Sequence, residues 1–278
     1  MARVLLRVAY DGTAYAGWQR QDNGPSVQAA LEQALSPLAG GEVTVTGAGR
    51  TDAGVHADGQ AAHVDLPEGI DPDVVVRATN TRLPADIRVR SAALVPADFH
   101  ARFSAVSKTY RYAWLVSRLG HPLLARTHWL VTPPLDLAAM ARGAAALLGT
   151  HDFAAFQSTG SPVTSTVRTM TGVDFGVRPR ADTGLQLTEQ ENIVELELRG
   201  DGFLRHMVRA IAGTLLEVGY RRRTPDDLAQ LLRGAAREHA GPTAPPHALT
   251  LVWVDYHATF DQGKSDREKV RRRSKGQE

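Results

Sequence analysis

Residues 47–57, Gly-Ala-Gly-Arg-Thr-Asp-Ala-Gly-Val-His-Ala, set Arg50, Asp52 and His56 among small side chains. Small residues let a ligand or another stretch of backbone approach closely. Arg50, two positions before Asp52, favours an ionised carboxylate by charge attraction. A carboxylate kept ionised in a partly enclosed site can act as a nucleophile. A tight turn carrying a surface ion pair is the blander interpretation of the same residues. Gly47-x-Gly49 begins like a dinucleotide fingerprint, but Asp52 occupies the third glycine position and would repel a pyrophosphate. The chain has no phosphate loop of the Gly-x-x-x-x-Gly-Lys type. His56, Asp58, His63 and Asp65 are candidate metal ligands, since His63 and Asp65 share a face if Gln60 to Leu66 is a strand. Their spacing matches no known metal motif.

On the N-terminal side, Arg3 to Tyr10 alternates, with Val4, Leu6, Val8 and Tyr10 on one face and Arg3 and Arg7 on the other. That predicts a half-buried strand. Ser26 caps a predicted helix through Val27, Leu31, Ala34 and Leu35, with Pro37 as its stop. Val43 to Thr46 is expected to be a strand entering the Gly-rich loop. Downstream, Asp71-Pro72 starts a helix that runs to about Thr81. Ile87 to Val95 alternates, with Arg88 and Arg90 on its outer face.

A second half follows. Lys108 to Val116 predicts a strand carrying Tyr110, Tyr112 and Trp114 on one face. Asp136 caps a helix that Gly149 closes. Thr166 to Val177, Ile193 to Leu198 and Leu249 to Tyr256 predict strands. Phe203 to Val218 is the strongest helix, with Leu204, Val208, Ile211, Leu215 and Val218 as one apolar stripe. Arg209 follows Arg205 by four positions, which would put both on one helix face. Thr224-Pro225-Asp226-Asp227 starts another helix that ends near Gly234. The expected class is α+β with a mostly antiparallel sheet.

The chain has 278 residues, 43% of them apolar and 22% charged, enough for a sizeable core in one large or two ordinary domains. Without cysteine it can form no disulfide, thiolate metal site or cysteine nucleophile. This fits a reducing cytoplasm. No apolar run approaches the roughly 18 residues of a membrane span. Residues 261–278 hold seven Lys or Arg and four Asp or Glu, a local charge of +3 within a net +2. This tail has few apolar residues and is expected to be disordered. Of 32 basic residues 28 are Arg, whose planar fork suits phosphate, although codon bias alone would give the same count.

Gly49-Arg50-Thr51-Asp52-Ala53-Gly54-Val55-His56-Ala57 resembles the signature of the tRNA pseudouridine synthase A family. Further similar segments follow in the family's order. They are Tyr10-Asp11-Gly12-Thr13-x-Tyr15-x-Gly17-Trp18-Gln19, Leu83-Pro84-x-Asp86-Ile87, Phe99-His100-Ala101-Arg102-Phe103-Ser104, Lys108-Thr109-Tyr110-Arg111-Tyr112 and His151-Asp152-Phe153. Gly202-Phe203-Leu204-x-His206-Met207-Val208-Arg209 and Ala244-Pro245 to Leu249 complete the set. Ala248 stands where the family usually has Gly, and Ala154-Ala155-Phe156-Gln157 is less polar than usual.

The resemblance implies the pseudouridine synthase fold, with two similar α/β halves sharing a mostly antiparallel sheet and a cleft between them. Residues 1–104 would carry the Asp loop, 105–260 would complete the cleft, and 261–278 would be the tail. It implies an isomerase acting on uridines 38–40 in the anticodon arm of tRNA, with Asp52 as nucleophile. Neither cofactor nor metal is implied. Tyr110 would stack on the flipped base, Arg50 would aid flipping or hold phosphate, Arg209 would pair with Asp52, and Leu249 would wall the pocket. Arg205, Arg102 and Arg111 are RNA-binding candidates, with Arg3, Arg7, Arg88, Arg90 and Arg221 to Arg223 as wider phosphate contacts. A cytoplasmic homodimer is implied as well. A metal-dependent RNA hydrolase using the His/Asp cluster, and a non-catalytic RNA-binding module, are the competing classes.

Overall fold

The computed structural model describes residues 1–22, 24–158, 163–189, 191–257 and 260. The expected tail, 261–278, lies outside the described residues. Contacts divide the chain into two units. Unit 1 comprises 1–51, 57–106 and 253–278, and unit 2 comprises 52–56 and 107–252.

Unit 1 begins with β1 (Ala2–Tyr10), α1 (Val27–Ala39), β2 (Thr46–Gly47) and β3 (His56–Leu66). α2 (Pro72–Asn80) and β4 (Ile87–Val95) follow. β1 lies between β4 and β3 and is antiparallel to both. α1 packs on α2, and α2 on β4. Ser26 and Asp71 cap the two helices, each with its side chain on a first-turn N–H.

Three expectations fail here for local reasons. Pro37 does not stop α1. It sits in the last turn of the helix, which Gly40 closes at φ 74°. Of the expected strand Val43 to Thr46 only Thr46 pairs, with His63, and the loop residue Gly47 joins it on Ala62, while β3 starts four residues earlier than predicted, at His56. β1 is buried on both faces, because Arg7 lies under the end of the last strand. Its guanidinium sits 4.2 Å from the Trp253 ring centroid, 5.3 Å from that of Tyr256, and donates to the Val254 carbonyl at 2.6 Å. Arg7 is therefore a core cation, and not the surface phosphate contact its alternation suggested.

Unit 2 contains β5 (Ala105–Val116, from Ser107 on), β6 (Trp129–Val131), α3 (Leu137–Ala145) and β7 (Gly149–Asp152). Next come β8 (Val167–Val177), β9 (Asn192–Gly200), α4 (Met207–Gly219), α5 (Pro225–Leu231) and the first half of β10 (Leu249–Tyr256). The strand order is β5-β9-β8-β7, all antiparallel, with β6 running parallel beside β5. α3 packs on α4 and α5. α3 ends at Ala145, not at Gly149, which instead opens β7 at φ 107°. Both units mix helices with antiparallel pairs, so the class is α+β. Among the described residues no helix is long and apolar enough to cross a membrane.

Candidate active site

The 47–57 segment is held first by unit 1. Ala48 donates to the Ala61 carbonyl at 2.7 Å, and the Gln60 amide donates to the Gly49 carbonyl at 2.8 Å. Tyr10 and Thr51 share a hydroxyl contact of 2.8 Å, and Trp18 N–H donates to the Thr51 carbonyl at 3.1 Å. Burial pushes the Tyr10 hydroxyl up to about 12, so it remains a neutral partner.

Asp52 begins a turn closed by Val55 N–H on the Asp52 carbonyl at 3.1 Å. Gly54 takes φ +78°, and a Cβ there would come within 3.2 Å of Pro246 Cγ. Only glycine meets both demands without strain. His56 then donates from Nε2 to the Arg126 and His247 carbonyls, at 2.7 and 2.9 Å. The turn is thus pinned at both ends, and the Asp52 side chain stays about a third exposed, at 34%.

The partners of Asp52 come from the start of α4. Arg209 Nη1 reaches Asp52 Oδ2 at 3.1 Å, while its Nε donates to the Ala244 carbonyl at 2.8 Å. His206 Nε2 lies 3.3 Å from the same Oδ2. Among the described residues no donor reaches Oδ1. The carboxylate therefore has one oxygen hydrogen-bonded by Arg209, with the His206 ring nitrogen beside it, and one oxygen open. Arg209 is held in place because the loop beneath α4 runs unusually close to it. A Cβ on Gly213 would fall 1.8 Å from the Pro242 carbonyl oxygen, and Ala244 N–H donates to the Arg209 carbonyl at 3.1 Å.

The remaining predicted residues divide. Tyr110 is buried, edge-on to Phe203 with ring centroids 4.9 Å apart. Leu249 is buried at the start of β10. Tyr112, also on β5, donates to the Pro245 carbonyl at 3.0 Å, and burial raises its hydroxyl pKa strongly. Arg50 and Arg205 are exposed. Arg111 faces Glu197 at 3.4 Å and Glu195 at 3.9 Å on β9. Arg102 is exposed, its guanidinium 5.5 Å from the Phe103 ring centroid. Of the wider set, Arg3 pairs with Asp65, Arg221 with Asp136 and Arg223 with Glu217. Arg88 donates to the Pro84 carbonyl.

α4 starts at Met207, not at Phe203, because His206 takes the left-handed conformation at φ 62°. Arg205 precedes the helix, so it and Arg209 do not share a helix face. Sequence reasoning gave His206 no role. Gly202, with no capping side chain, stands just before the expected first helical residue, and this was a sign that the helix begins in an unusual way.

The proposed metal set does not converge. His63 Nδ1 accepts from Ala101 N–H at 3.1 Å, Asp65 pairs with Arg3 at 2.8 Å, and Asp58 is exposed. Burial, with Arg3 nearby, lowers the His63 pKa to about 4. Among the described residues no group of three or more His, Asp or Glu side chains is arranged to hold a metal ion.

The family model described as tRNA pseudouridine synthase matches residues 7–104 and 144–257. The tRNA pseudouridine synthase A of Syntrophotalea carbinolica is 45% identical over 256 residues, spanning 92% of this chain and 97% of the relative. That of a Geobacter species is 42% identical over 257 residues, spanning 92% and 99%. That of Acetivibrio thermocellus is 43% identical over 256 residues, spanning 92% and 100%.

Proposed function

Because the chain belongs to the tRNA pseudouridine synthase family, we propose that it isomerises uridine to pseudouridine in the anticodon stem-loop of tRNA with Asp52 as its nucleophile. The observation that carries this is the Asp52 carboxylate, fixed at Oδ2 by Arg209 and open at Oδ1. The reaction breaks the bond between ribose C1′ and uracil N1, turns the base, and rejoins it through C5. The C5 proton leaves to water and N1 gains one, so neither electrons nor an energy source are consumed.

Asp52 holds the intermediate between cleavage and rejoining, through a bond from Oδ1 either to the ribose or to the base. A stacked base must first leave its helix. Tyr110 stacks on it, contributing about 1–3 kcal/mol, and Leu249 supplies an apolar wall. Arg50 assists flipping or holds a phosphate. Arg205 and Arg102 position the RNA by its backbone without selecting sequence. Arg111 contributes more weakly, since Glu195 and Glu197 already occupy it. Recognition by shape suits an enzyme acting at neighbouring positions of one arm. The proposed enzyme works in the cytoplasm, as a homodimer, without a cofactor.

The test uses an unmodified tRNA transcript carrying tritium at C5 of uridine, with EDTA present. Wild-type protein should release tritium to water, and Asp52→Asn should release none while still binding the tRNA. Bound tRNA with no release by either protein would move the assignment to an RNA-binding module. Strand cleavage on adding a divalent metal would favour a hydrolase.

A further inference from the structure

We infer that Ser158 and His206 form a tautomer lock that positions the proposed nucleophile, with the Ser158 hydroxyl fixing the His206 ring so that its Nε2–H is directed at Asp52. The inference rests on Asp52 being the nucleophile, but its structural part can be read without substrate.

The geometry comes from a chain of short contacts within unit 2. Ser158 Oγ lies 2.5 Å from His206 Nδ1, and His206 Nε2 lies 3.3 Å from Asp52 Oδ2. The Ser158 backbone N–H is tied to the Arg205 carbonyl at 3.2 Å, which brings its hydroxyl to the ring edge. A neutral imidazole carries one N–H and one lone pair. If Nδ1 accepts the serine O–H, the proton must sit on Nε2, where it points at the carboxylate. The opposite tautomer would direct a lone pair at Asp52.

Two further observations support the lock. Burial lowers the His206 pKa, with Arg209, Arg205 and Arg237 acting in the same direction and Asp52 opposing them. The ring is thus neutral near pH 7, the state in which tautomer choice matters. His206 also takes a left-handed backbone, φ 62°, although it is not glycine. Such strain persists only where the surroundings impose it. It places the imidazole beside Asp52 at the point where α4 begins.

Arg209 and His206 then divide the task. Arg209 supplies charge, and His206 supplies a second, neutral donor to the same oxygen. Together they fix the rotation of the carboxylate, which aims Oδ1 without adding a second positive charge that would blunt it. His206 is a positioning residue in this scheme, acting through Asp52.

The first experiment is 15N NMR of histidine-labelled protein at pH 7.5, with His206 assigned by loss of its signals in His206→Gln. The lock requires a protonated Nε2 and an unprotonated, pyridine-type Nδ1. Ser158→Ala should blur that preference. A protonated Nδ1 in the wild type, or ring shifts unmoved by Ser158→Ala, overturns the lock whether or not the protein releases tritium.

The second experiment is steady-state tritium release. Ser158→Ala and His206→Ala should lower kcat by about 3–10-fold, the range for losing one modest hydrogen bond, with KM for tRNA little changed. His206→Gln keeps an N–H at the Nε2 position and should recover most of the loss. Equal losses in Gln and Ala variants, or losses confined to KM, would count against a positioning role. Failure of the wild type to release tritium would sink the nucleophile assignment instead, and the NMR result would stand separately.

Discussion

The proposed nucleophile, Asp52, needs an oriented carboxylate, and Arg209 orients it with two bonds pointing in different directions. Nε holds the Ala244 carbonyl and Nη1 holds Asp52. Lysine keeps the charge but cannot make both contacts. Arg209→Lys should therefore lower kcat by about 10–100-fold, the equivalent of one charge-assisted hydrogen bond, while KM for tRNA changes little. Single-turnover tritium release would show this, and an unchanged rate would mean the fork is not needed. Asp52 and Arg209 were both legible in the sequence, because a cluster of matching segments marked them. His206 was not, since its role depends on a backbone angle and a tautomer, and a residue string encodes neither directly. Arg7 misled for a related reason. Alternation assigns a side chain to a face, but it does not say whether a later strand will cover that face.

At the scale of elements, the site depends on how closely the 241–245 loop lies under α4. Gly213 and Gly241 make that approach possible. An added Cβ at Gly213 would meet the Pro242 oxygen at 1.8 Å, and Gly241 N–H donates to Thr214 Oγ1 at 2.9 Å. Helix propensity alone would favour Gly213→Ala by about 1 kcal/mol. The clash should reverse that sign, giving a loss of about 1–3 kcal/mol from overpacking, together with reduced activity as Ala244 is displaced from Arg209. Urea denaturation monitored by circular dichroism measures the first, and tritium release the second. A stabilised, fully active variant would show that the loop yields freely. Element types were mostly readable from periodicity, whereas several ends were not. α1 runs past its proline, and α4 begins four residues late, because ends are set by caps and neighbouring loops instead of by the apolar stripe.

Across the whole molecule, two imidazoles, His63 buried and His128 half-buried, make stability depend on pH. Burial lowers the pKa of both His63 and His128 to about 4, against an unfolded value of about 6.5. Between these values the unfolded chain binds more protons than the folded one. Stability is therefore fully present above pH 6.5 and is lost as pH falls toward 4. Urea midpoints measured from pH 7.5 to 4.5 should decline, and His63→Gln should flatten part of that decline. A midpoint that holds steady through this window would contradict the assignment of these rings as neutral. The α+β class was legible from mixed periods along the chain. The composition of unit 1 was not, because it joins segments from opposite ends of the sequence, and local pattern carries no record of such pairing.

The burial of Arg7 beneath Trp253 and Tyr256 has a consequence for biosynthesis. Its acceptor, the Val254 carbonyl, lies 247 residues downstream. When β1 leaves the ribosome, the groups that cover its cation have not yet been made. Unit 2 can be completed from a nearly continuous stretch, but unit 1 must wait with an uncovered guanidinium and an unfinished core. At roughly 5–20 residues per second, synthesis from Ser107 to Val254 takes about 7–30 s. The residues of β1 are thus made well before the groups that complete their surroundings, and a ribosome that stalls short of β10 leaves them exposed to chaperones and proteases.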